Sequence, residues 1–359
     1  MNKEFDITVI GSVRAGKTSL LSTIYSQFSE VIELDNDLEI RPARDLDDSL
    51  GNYVQDLQNA FGTTTQMPLN NADVVQPTVI SKTKDNHTLN GRSSSTTDYT
   101  YKLNGLNSSD IEYRFNLGQK NKKPKIQLVL RDYPGEQLAD HPKDVIRRIR
   151  DCAVTMIAID TPALMIEESK RQPWRFHKDR NLFENGKPGP NNLCSIFEEA
   201  YKEINGKKLV VLAPVKCEKW MADPACADQL LERIKLGYKP LLDLLASMKD
   251  NVAVVVTPVE TLGNIIYAYM DQPNAYSPQF MKETILAKYN PRYGDQPLRY
   301  ILRFVIKRFL ENPGFWFHWF GNDKPFVSAM DNFARGCKAD PLRGNMASGF
   351  TVIQGSQLL

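Results

Sequence analysis

The stretch ITVIGSVRAGKTSL, residues 7–20, lies near the start of the chain and decides the fold. Residues 5–10 are mostly apolar, which predicts a buried strand, and residues 19–28 have the spacing of an amphipathic helix. Between them the chain carries the pattern G-x-x-x-x-G-K-T, which begins at Gly11 and ends at Thr18. A glycine-rich turn between a strand and a helix is the setting in which this pattern binds phosphate, so the stretch predicts a phosphate-binding loop.

The residue types of this loop suit a triphosphate and a magnesium ion. Backbone N–H groups of a curled loop and a helix N-terminus point at an anion, and Gly11 and Gly16 allow close approach where a Cβ would block it. Lys17 is placed to reach the β- and γ-phosphates, and the Thr18 hydroxyl is a ligand for Mg²⁺. The predicted nucleotide contacts of this loop are Gly11, Arg14, Ala15, Gly16, Lys17, Thr18 and Ser19.

Beyond this loop the sequence alternates strand and helix patterns. Residues 111–117 and 124–131 form a predicted antiparallel hairpin, because the first run alternates apolar and polar residues and the second contains IQLVL. Buried strands that alternate with helices indicate a mostly parallel sheet covered on both faces. Such strands are predicted at 153–160, 208–213 and 252–257, and helices at 49–61, 143–150, 193–204, 227–248 and 298–311.

The predicted fold is therefore α/β and of the P-loop NTPase class. It has a mostly parallel sheet, an antiparallel hairpin, a long insertion after the first helix and a helical C-terminal extension. Residues 1–263 are expected to form the P-loop domain, in which residues 30–123 hold the switch and insertion region with a short strand at 98–103. Residues 264–359 are expected to form the extension, without a strand, and the basic amphipathic helix at 298–311 is expected to pack on the domain.

Acidic and glycine residues follow the second hairpin strand in the sequence DYPGE, residues 132–136. Ligands of open parallel sheets bind at the carboxyl ends of the strands, so Asp132 is placed to hold Mg²⁺, often through water. Gly135 can bring its backbone N–H against a γ-phosphate without a steric conflict. An ordinary turn has the same composition, but its position after a phosphate-binding loop and a hairpin favours the functional interpretation.

The sequence VKCE, residues 215–218, follows the predicted strand at 208–213. A carboxylate at Glu218 can accept hydrogen bonds from the N1–H and 2-amino groups of guanine, and the stem of Lys216 can lie over the base plane. A charged surface loop is the alternative interpretation. Residues 258–261, after the next strand, form a turn whose backbone is also a candidate for contact with the base.

Composition excludes several classes of protein. The chain has 359 residues, of which 42% are apolar and 25% charged. Its net charge of +2 is too small to create an electrostatic field that would attract nucleic acid. Its five cysteines lack any C-x-x-C pair, which argues against a zinc site and a disulfide framework. The N-terminus is too polar for a signal peptide and no stretch is long and apolar enough to span a membrane, so we expect a cytoplasmic protein.

Taken together, the motifs GSVRAGKT, DYPGE, VKCE and TPVET resemble the small GTPase domains of the translation-factor and Ras-like class. Within that class, RAGKTSL with DYPGE resembles the bacterial YcjX-like stress-associated GTPases and the double-GTPase domains found near bacterial conflict-system genes. The resemblance covers about residues 5–263. It implies that Gly11, Gly16, Lys17 and Thr18 bind phosphate and Mg²⁺.

The same resemblance gives roles to residues of the switch regions and the base site. It implies that Asp132 and Gly135 form the second switch, and that Lys216 and Glu218 stand where the family has Asn/Thr-Lys-x-Asp. The chain departs from the family at Val215 and at Glu218 itself, which replaces aspartate. Candidates for the threonine of the first switch are Thr63, Thr64 and Thr65.

The hydrolytic groups also depart from the family pattern. Glu136, with Gln137 next, occupies the place where Ras-like proteins have a water-positioning glutamine, so slow hydrolysis is expected. Lys17, Asp132, Gly135 and Glu136 are the residues expected to act in catalysis. Arg14 is a candidate for a charge-stabilising arginine supplied in cis, although such a residue is more often exposed to solvent.

These observations predict a GTP-binding, slowly hydrolysing and Mg²⁺-dependent switch, in bacterial stress or conflict signalling. GTP and GDP are the expected ligands, and a protein partner is expected but not identified by the sequence. One alternative is a scaffold that holds nucleotide without turnover. Another is a P-loop ATPase or small-molecule kinase, which the VKCE segment distinguishes from a GTPase.

Overall fold

The computed structural model describes residues 3–12, 15–35, 37–43, 49–63, 69–70, 111–133, 142–165, 190–271, 277–284, 286–311 and 324–359. Among the helices of these residues, none is long and apolar enough to cross a membrane. The predicted strand at 98–103 lies outside the described residues.

The centre of the molecule is an eight-stranded sheet. Its strands are β1 (Lys3–Gly11), β2 (Leu38–Pro42), β4 (Ile111–Gln119), β5 (Ile126–Asp132), β6 (Val154–Asp160), β7 (Lys208–Val215), β8 (Val252–Val256) and β13 (Thr351–Gln354). They lie in the order β13-β8-β7-β6-β1-β5-β4-β2. The five neighbours from β8 to β5 are parallel, whereas β4 pairs with β5 and β2 pairs with β4 in antiparallel fashion. This arrangement confirms the predicted fold class, a mostly parallel α/β sheet with an antiparallel hairpin beside β1, the strand that precedes the Gly11–Thr18 loop.

Helices cover both faces of this sheet. They are α1 (Lys17–Asp35), α2 (Ser49–Thr63), α3 (Pro142–Asp151), α4 (Thr161–Met165), α5 (Pro190–Ala200), α6 (Pro224–Gly237), α7 (Lys239–Ala246), α8 (Gln296–Glu311) and α9 (Lys324–Ala334). One core joins the sheet to α1, α8 and α9, and a second core on the other face joins it to α3, α5, α6 and α7. In β7, Leu209 and Val211 belong to the first core and Val210 and Leu212 to the second. Strand β8, VAVVV, is apolar at every position because both of its faces are buried.

The helix predicted at 227–248 is two helices, α6 and α7, which meet at Tyr238. Pro240 stands in the first turn of α7. A proline lacks the backbone N–H, and its ring collides with the carbonyl four residues earlier, so a continuous helix is broken there. The start of α6 is capped by Asp223, whose carboxylate accepts a hydrogen bond from the Cys226 N–H at 3.0 Å.

The expectation that residues 264–359 contain no strand is wrong. Strands β9 (Ile265–Asp271) and β10 (Ser277–Lys282) form a hairpin, and the two-residue strand β3 (Leu69–Asn70) of the insertion pairs with β10. Strands β11 (Ala339–Asp340) and β12 (Asn345–Met346) form a second hairpin. Strand β13 lies antiparallel to β8 at the edge of the central sheet. Strands β11 and β12 have two residues each, too few for any alternation of apolar and polar residues, whereas β9 is as long as the predicted β6 and was missed.

The helix predicted at 298–311 packs on the domain, as expected. Leu298, Ile301 and Leu302 of α8 lie in the core that also contains residues of α1 and α9. The helix ends where it was predicted to end, at Glu311, and begins at Gln296 rather than at 298. The division of the chain at residue 263 stays a prediction, although β13 brings the C-terminal segment into the same sheet as β1.

Candidate nucleotide-binding site

The loop between β1 and α1 is packed against two neighbouring strands. A Cβ on Gly11 would lie 2.7 Å from the Ala158 carbonyl oxygen, and a Cβ on Gly16 would lie 3.3 Å from a methyl group of Val215. Gly16 also has φ of +101°, a backbone conformation that favours glycine. The loop is closed by a hydrogen bond from the Ala15 N–H to the Ser12 carbonyl at 3.1 Å. Close packing against Ala158 therefore requires glycine at position 11, and the backbone conformation favours it at position 16.

The ammonium group of Lys17 lies across the loop. Its Nζ donates to the carbonyl oxygens of Gly11 at 3.2 Å and Ser12 at 3.1 Å, and the residue is buried. A charged amine that is held by neutral carbonyls can exchange these weak partners for phosphate oxygens, whose charge-assisted hydrogen bonds are about twice as strong.

Thr18 and Asp132 meet although they are 114 positions apart in sequence. The Thr18 hydroxyl donates to Oδ2 of Asp132 at 3.0 Å, and both residues are buried. Asp132 is the last residue of β5, and its register opposite Val9 of β1 brings it beside the start of the loop. Among the described residues, its second oxygen, Oδ1, has no hydrogen-bond partner.

Burial raises the pKa of the Asp132 carboxyl above its ordinary value, and the charge of Lys17 and the hydrogen bond from Thr18 act in the opposite direction. A buried carboxylate oxygen without a partner and a neighbouring hydroxyl form a donor set that suits Mg²⁺. Among the described residues, no group of three or more histidine, cysteine, aspartate and glutamate side chains is placed to hold a metal ion. Thr18 and Asp132 are the residues that could hold a magnesium ion, whose other ligands would be phosphate oxygens and water.

Lys216 lies beside the Gly11–Thr18 loop. It follows β7 directly and has φ of +55°, and its Nζ is 3.3 Å from Oδ2 of Asp160. Its Cε lies 3.7 Å from the position of a Cβ on Gly16. Asp160, the last residue of β6, is fully buried, so the ion pair aims the lysine stem across the loop.

Glu218 is turned toward the loop that follows β8. Its Oε1 accepts a hydrogen bond from the Leu262 N–H at 3.0 Å, and the residue is buried. Burial raises the pKa of Glu218 to about 7, hydrogen bonds from the backbone oppose this shift, and the nearby carboxylate of Glu260 adds to it. The structure thus brings together the VKCE segment and the turn at 258–261, the two segments that the sequence predicts to surround a base.

The remaining predicted site residues divide into two groups. Ala15 is buried in the loop and Ser19 is half-buried in the first turn of α1. Thr63 is the last residue of α2. The predictions for Arg14, Thr64, Thr65, Gly135, Glu136 and Gln137 fall outside the described residues.

Sequence reasoning missed Asp160, although a signal was present. The strand AVTMIAID ends in an aspartate, as IQLVLRD does at Asp132. An acidic residue at the end of a buried strand marks the ligand-binding edge of a parallel sheet. Its partner, Lys216, was predicted, but the pairing between them depends on the adjacency of β6 and β7.

The described residues form an α/β domain in which a mostly parallel sheet carries an antiparallel hairpin and the G-x-x-x-x-G-K-T pattern lies between β1 and α1. The chain is similar to the crystal structure of the S. cerevisiae Ski7 GTPase-like domain bound to GTP. The TM-score is 0.39 and the identity 15%, and the match covers 73% of this chain and 44% of that chain. It is also similar to the same domain bound to GDP and inorganic phosphate, with a TM-score of 0.32 and 13% identity over 72% and 43% of the two chains. The chain therefore matches less than half the length of these structures. No protein-family model and no curated protein matches it.

Replacing Glu218 by glutamine is expected to stabilise the protein at pH 8 but not at pH 5. The carboxyl has an ordinary pKa of 4.5 and a folded-state pKa of about 7. The folded state therefore holds a proton that the unfolded chain releases, and its stability falls as the pH rises between these values. Such a shift corresponds to roughly 3 kcal/mol, which the neutral amide avoids.

Thermal unfolding of the parent and Glu218→Gln at both pH values measures this difference. The control is Glu232→Gln on the exposed side of α6, where the carboxylate forms an ion pair with Lys235 on the surface. An equal change in melting temperature at pH 5 and pH 8 would show that the Glu218 carboxyl is not held neutral by burial.

Proposed function

We propose that this chain binds GTP with Mg²⁺ and hydrolyses it slowly, as a nucleotide-dependent switch. The observation that carries the proposal is the hydrogen bond between the Thr18 hydroxyl and the Asp132 carboxylate at 3.0 Å. This hydrogen bond joins Thr18, the residue after Lys17, to Asp132, the acid at the end of β5. This is the combination with which P-loop NTPases hold the magnesium ion of a bound triphosphate.

Each part of the loop has a defined task in this proposal. The N–H groups of residues 15–19 and the ammonium group of Lys17 bind the phosphate oxygens, and Lys17 gives up its contacts with the carbonyls of Gly11 and Ser12 to do so. Thr18 and Asp132 would hold Mg²⁺, which neutralises charge on the phosphate oxygens when bound. The packing of the loop against Ala158 and Val215 fixes its N–H groups before the ligand arrives, which reduces the entropy lost on binding.

The rate of hydrolysis depends on the segment after Asp132. We propose that the Gly135 N–H contacts the γ-phosphate and that Glu136 stands in place of a water-positioning glutamine. A carboxylate beside the attacking water repels the charge of the phosphate, so turnover is slow unless another group assists. Arg14 is the candidate for that group within the chain. A role in cytoplasmic stress or conflict signalling through a protein partner follows from the family resemblance.

Base recognition is assigned to Lys216 and Glu218. The ion pair of Lys216 with Asp160 holds the lysine stem where a base plane can rest on it, beside the phosphate-binding loop. Glu218 supplies the carboxylate that distinguishes guanine from adenine. A second candidate function is that of a P-loop ATPase or kinase. One observation favours it: Oε1 of Glu218 already accepts the Leu262 N–H, so this oxygen is less available to accept a hydrogen bond from guanine. The same loop would also serve a scaffold that binds nucleotide without turnover.

Lys17→Ala is expected to weaken GTP binding by at least tenfold to a hundredfold. A charged hydrogen-bonding group contributes about 1.5–3 kcal/mol, and about 1.4 kcal/mol is a factor of ten in affinity. Isothermal titration with GTP in Mg²⁺ measures the change, and Lys235→Ala on the exposed face of α6 is the control. A Lys17→Ala variant that binds GTP as the parent does would overturn the assignment of the loop.

Asp132→Ala is expected to keep much of the affinity for nucleotide but to lose Mg²⁺ dependence and most turnover. The carboxylate accepts the Thr18 hydroxyl, and its removal leaves Lys17 and the loop backbone in place to bind phosphate. Hydrolysis measured against Mg²⁺ concentration tests this expectation. If the rate and its Mg²⁺ dependence match those of the parent, the metal is bound elsewhere.

Glu218→Gln is expected to lower GTP affinity about tenfold to a hundredfold and to leave ATP affinity unchanged or improved, because the amide is a poorer acceptor for guanine. Glu218→Asp is expected to retain the preference for GTP. Since the pKa of Glu218 is about 7, GTP affinity of the parent should rise between pH 6 and pH 8 as the carboxylate forms. Equal binding of GTP and ATP by the parent, unaffected by the substitution, would favour the ATPase instead.

A further inference from the structure

A segment of the C-terminal region lies directly against the loop that follows β8. The segment comprises residues 289–294, just before α8, and the loop comprises residues 258–263. The Glu260 N–H donates to the Arg292 carbonyl at 3.0 Å, and the Arg292 N–H donates to the Glu260 carbonyl at 2.9 Å. A second bridge pairs Gly263 with Tyr289. The backbone of Gly263, with φ of +76°, comes so near the Asn290 carbonyl that a Cβ there would collide with it.

The side chains of the same two residues form an ion pair. Nε of Arg292 lies 2.5 Å from Oε2 of Glu260, whose side chain is fully buried, whereas that of Arg292 is 41% exposed. The other carboxylate oxygen of Glu260, Oε1, has no hydrogen-bond partner among the described residues. A buried carboxylate that loses its cation is costly to the folded state, so the position of this loop depends on Arg292.

The 258–263 loop, which is held by Arg292, also contacts the nucleotide site. Leu262 donates its N–H to Glu218, and the Thr261 carbonyl accepts a hydrogen bond from the Thr23 hydroxyl of α1 at 3.5 Å. The loop therefore contacts both the residue assigned to the base and the helix that begins at the phosphate-binding loop.

The 289–294 segment also holds α1 itself. The Gln27 side chain donates to the Pro291 carbonyl and accepts the Gly294 N–H. A Cβ on Gly294 would lie 2.7 Å from the Thr23 carbonyl oxygen, so this approach to α1 requires glycine. One short segment thus contacts the helix on the phosphate side and the loop on the base side.

We infer that residues 289–294 position the base side of the nucleotide site relative to its phosphate side, and that Arg292 is the positioning residue, acting through Glu260 and the 258–263 loop. The inference rests on the proposed function and adds to it a part of the site outside the predicted P-loop domain. Arg292 touches neither the phosphates nor the base in this role, because its partners are Glu260 and the loop backbone.

The test compares the binding of GTP, ATP and tripolyphosphate by the parent, Arg292→Met and Arg292→Lys. Methionine keeps the apolar stem of the side chain and removes the cation. Arg292→Met is expected to bind GTP at least tenfold more weakly while its affinity for tripolyphosphate stays within twofold, since only the base side is displaced. Arg292→Lys should recover part of the GTP affinity. Arg335→Met, which removes an exposed ion pair with Asp331 on α9, is the matched control and should change nothing.

Two results would overturn the inference. One is unchanged GTP binding in a folded Arg292→Met variant. The other is an equal loss of GTP and tripolyphosphate binding, which would reveal a general structural role. If Arg292→Met does not fold, the double variant Glu260→Gln/Arg292→Met removes the uncompensated carboxylate and takes its place. Its GTP affinity should lie below that of the parent, with tripolyphosphate unaffected, and parental GTP affinity would refute the role of the ion pair.

Failure of the proposed function is visible in the parent alone. A parent that binds neither nucleotide more tightly than tripolyphosphate has no base site, and the proposed function and this inference fail together. A parent that prefers ATP removes the guanine assignment only, and the comparison of variants then applies to ATP. A parent that binds GTP, with variants that behave as the parent, refutes the inference and leaves the proposed function standing.

Discussion

The parallel pairing of β1 with β5 is the constraint on which the site depends. Its register sets Val9 opposite Asp132, and the Tyr133 N–H then donates to the Val9 carbonyl at 3.1 Å. A shift of one residue would turn the Asp132 side chain to the other face of the sheet, away from Thr18. The register is fixed in turn by the apolar residues that both strands bury in one core: Phe5, Ile7 and Val9 of β1, and Ile126, Leu128 and Leu130 of β5. Packing of this core therefore decides where a single carboxylate stands.

Buried acids gather at one edge of the sheet. Asp132, Asp160, Glu218 and Glu260 all lie at or just beyond the carboxyl ends of parallel strands, and each is at most 4% exposed. Burying carboxylates opposes folding unless hydrogen bonds or cations compensate them. Their partners include Thr18, Lys216, the Leu262 N–H and Arg292, and among the described residues one oxygen of Asp132 and one of Glu260 have no hydrogen-bond partner. Burial raises the pKa of Asp132, Glu218 and Glu260, and acids with raised pKa values are common at functional sites.

Much of the fold and part of the site could be predicted from the sequence. Runs of apolar residues predicted the hairpin and the parallel strands, and the pattern around Lys17 predicted the loop. Both signals are local, because each is contained in a few neighbouring residues. The roles of Asp160 and Arg292 arise only when distant strands and segments meet, so no local pattern contains them. Strand β13 was not predicted for the same reason: its four residues pair with β8, which is distant in sequence. Glu218 was predicted, but its hydrogen bond to Leu262 depends on how the next loop is placed.

The pairing of β13 with β8 has a consequence for the order in which the protein is made. Strand β8 is VAVVV, all five residues are buried, and Gly355 packs so close to Ala253 that only a glycine fits. Until residues 351–354 leave the ribosome, one edge of this valine-rich strand has no partner. An open, uncharged strand of this composition is a template for pairing with other chains. The nascent chain thus exposes the unpaired edge of β8 while most of the C-terminal region is synthesised. During that time chaperones are needed to prevent this edge from pairing with other chains.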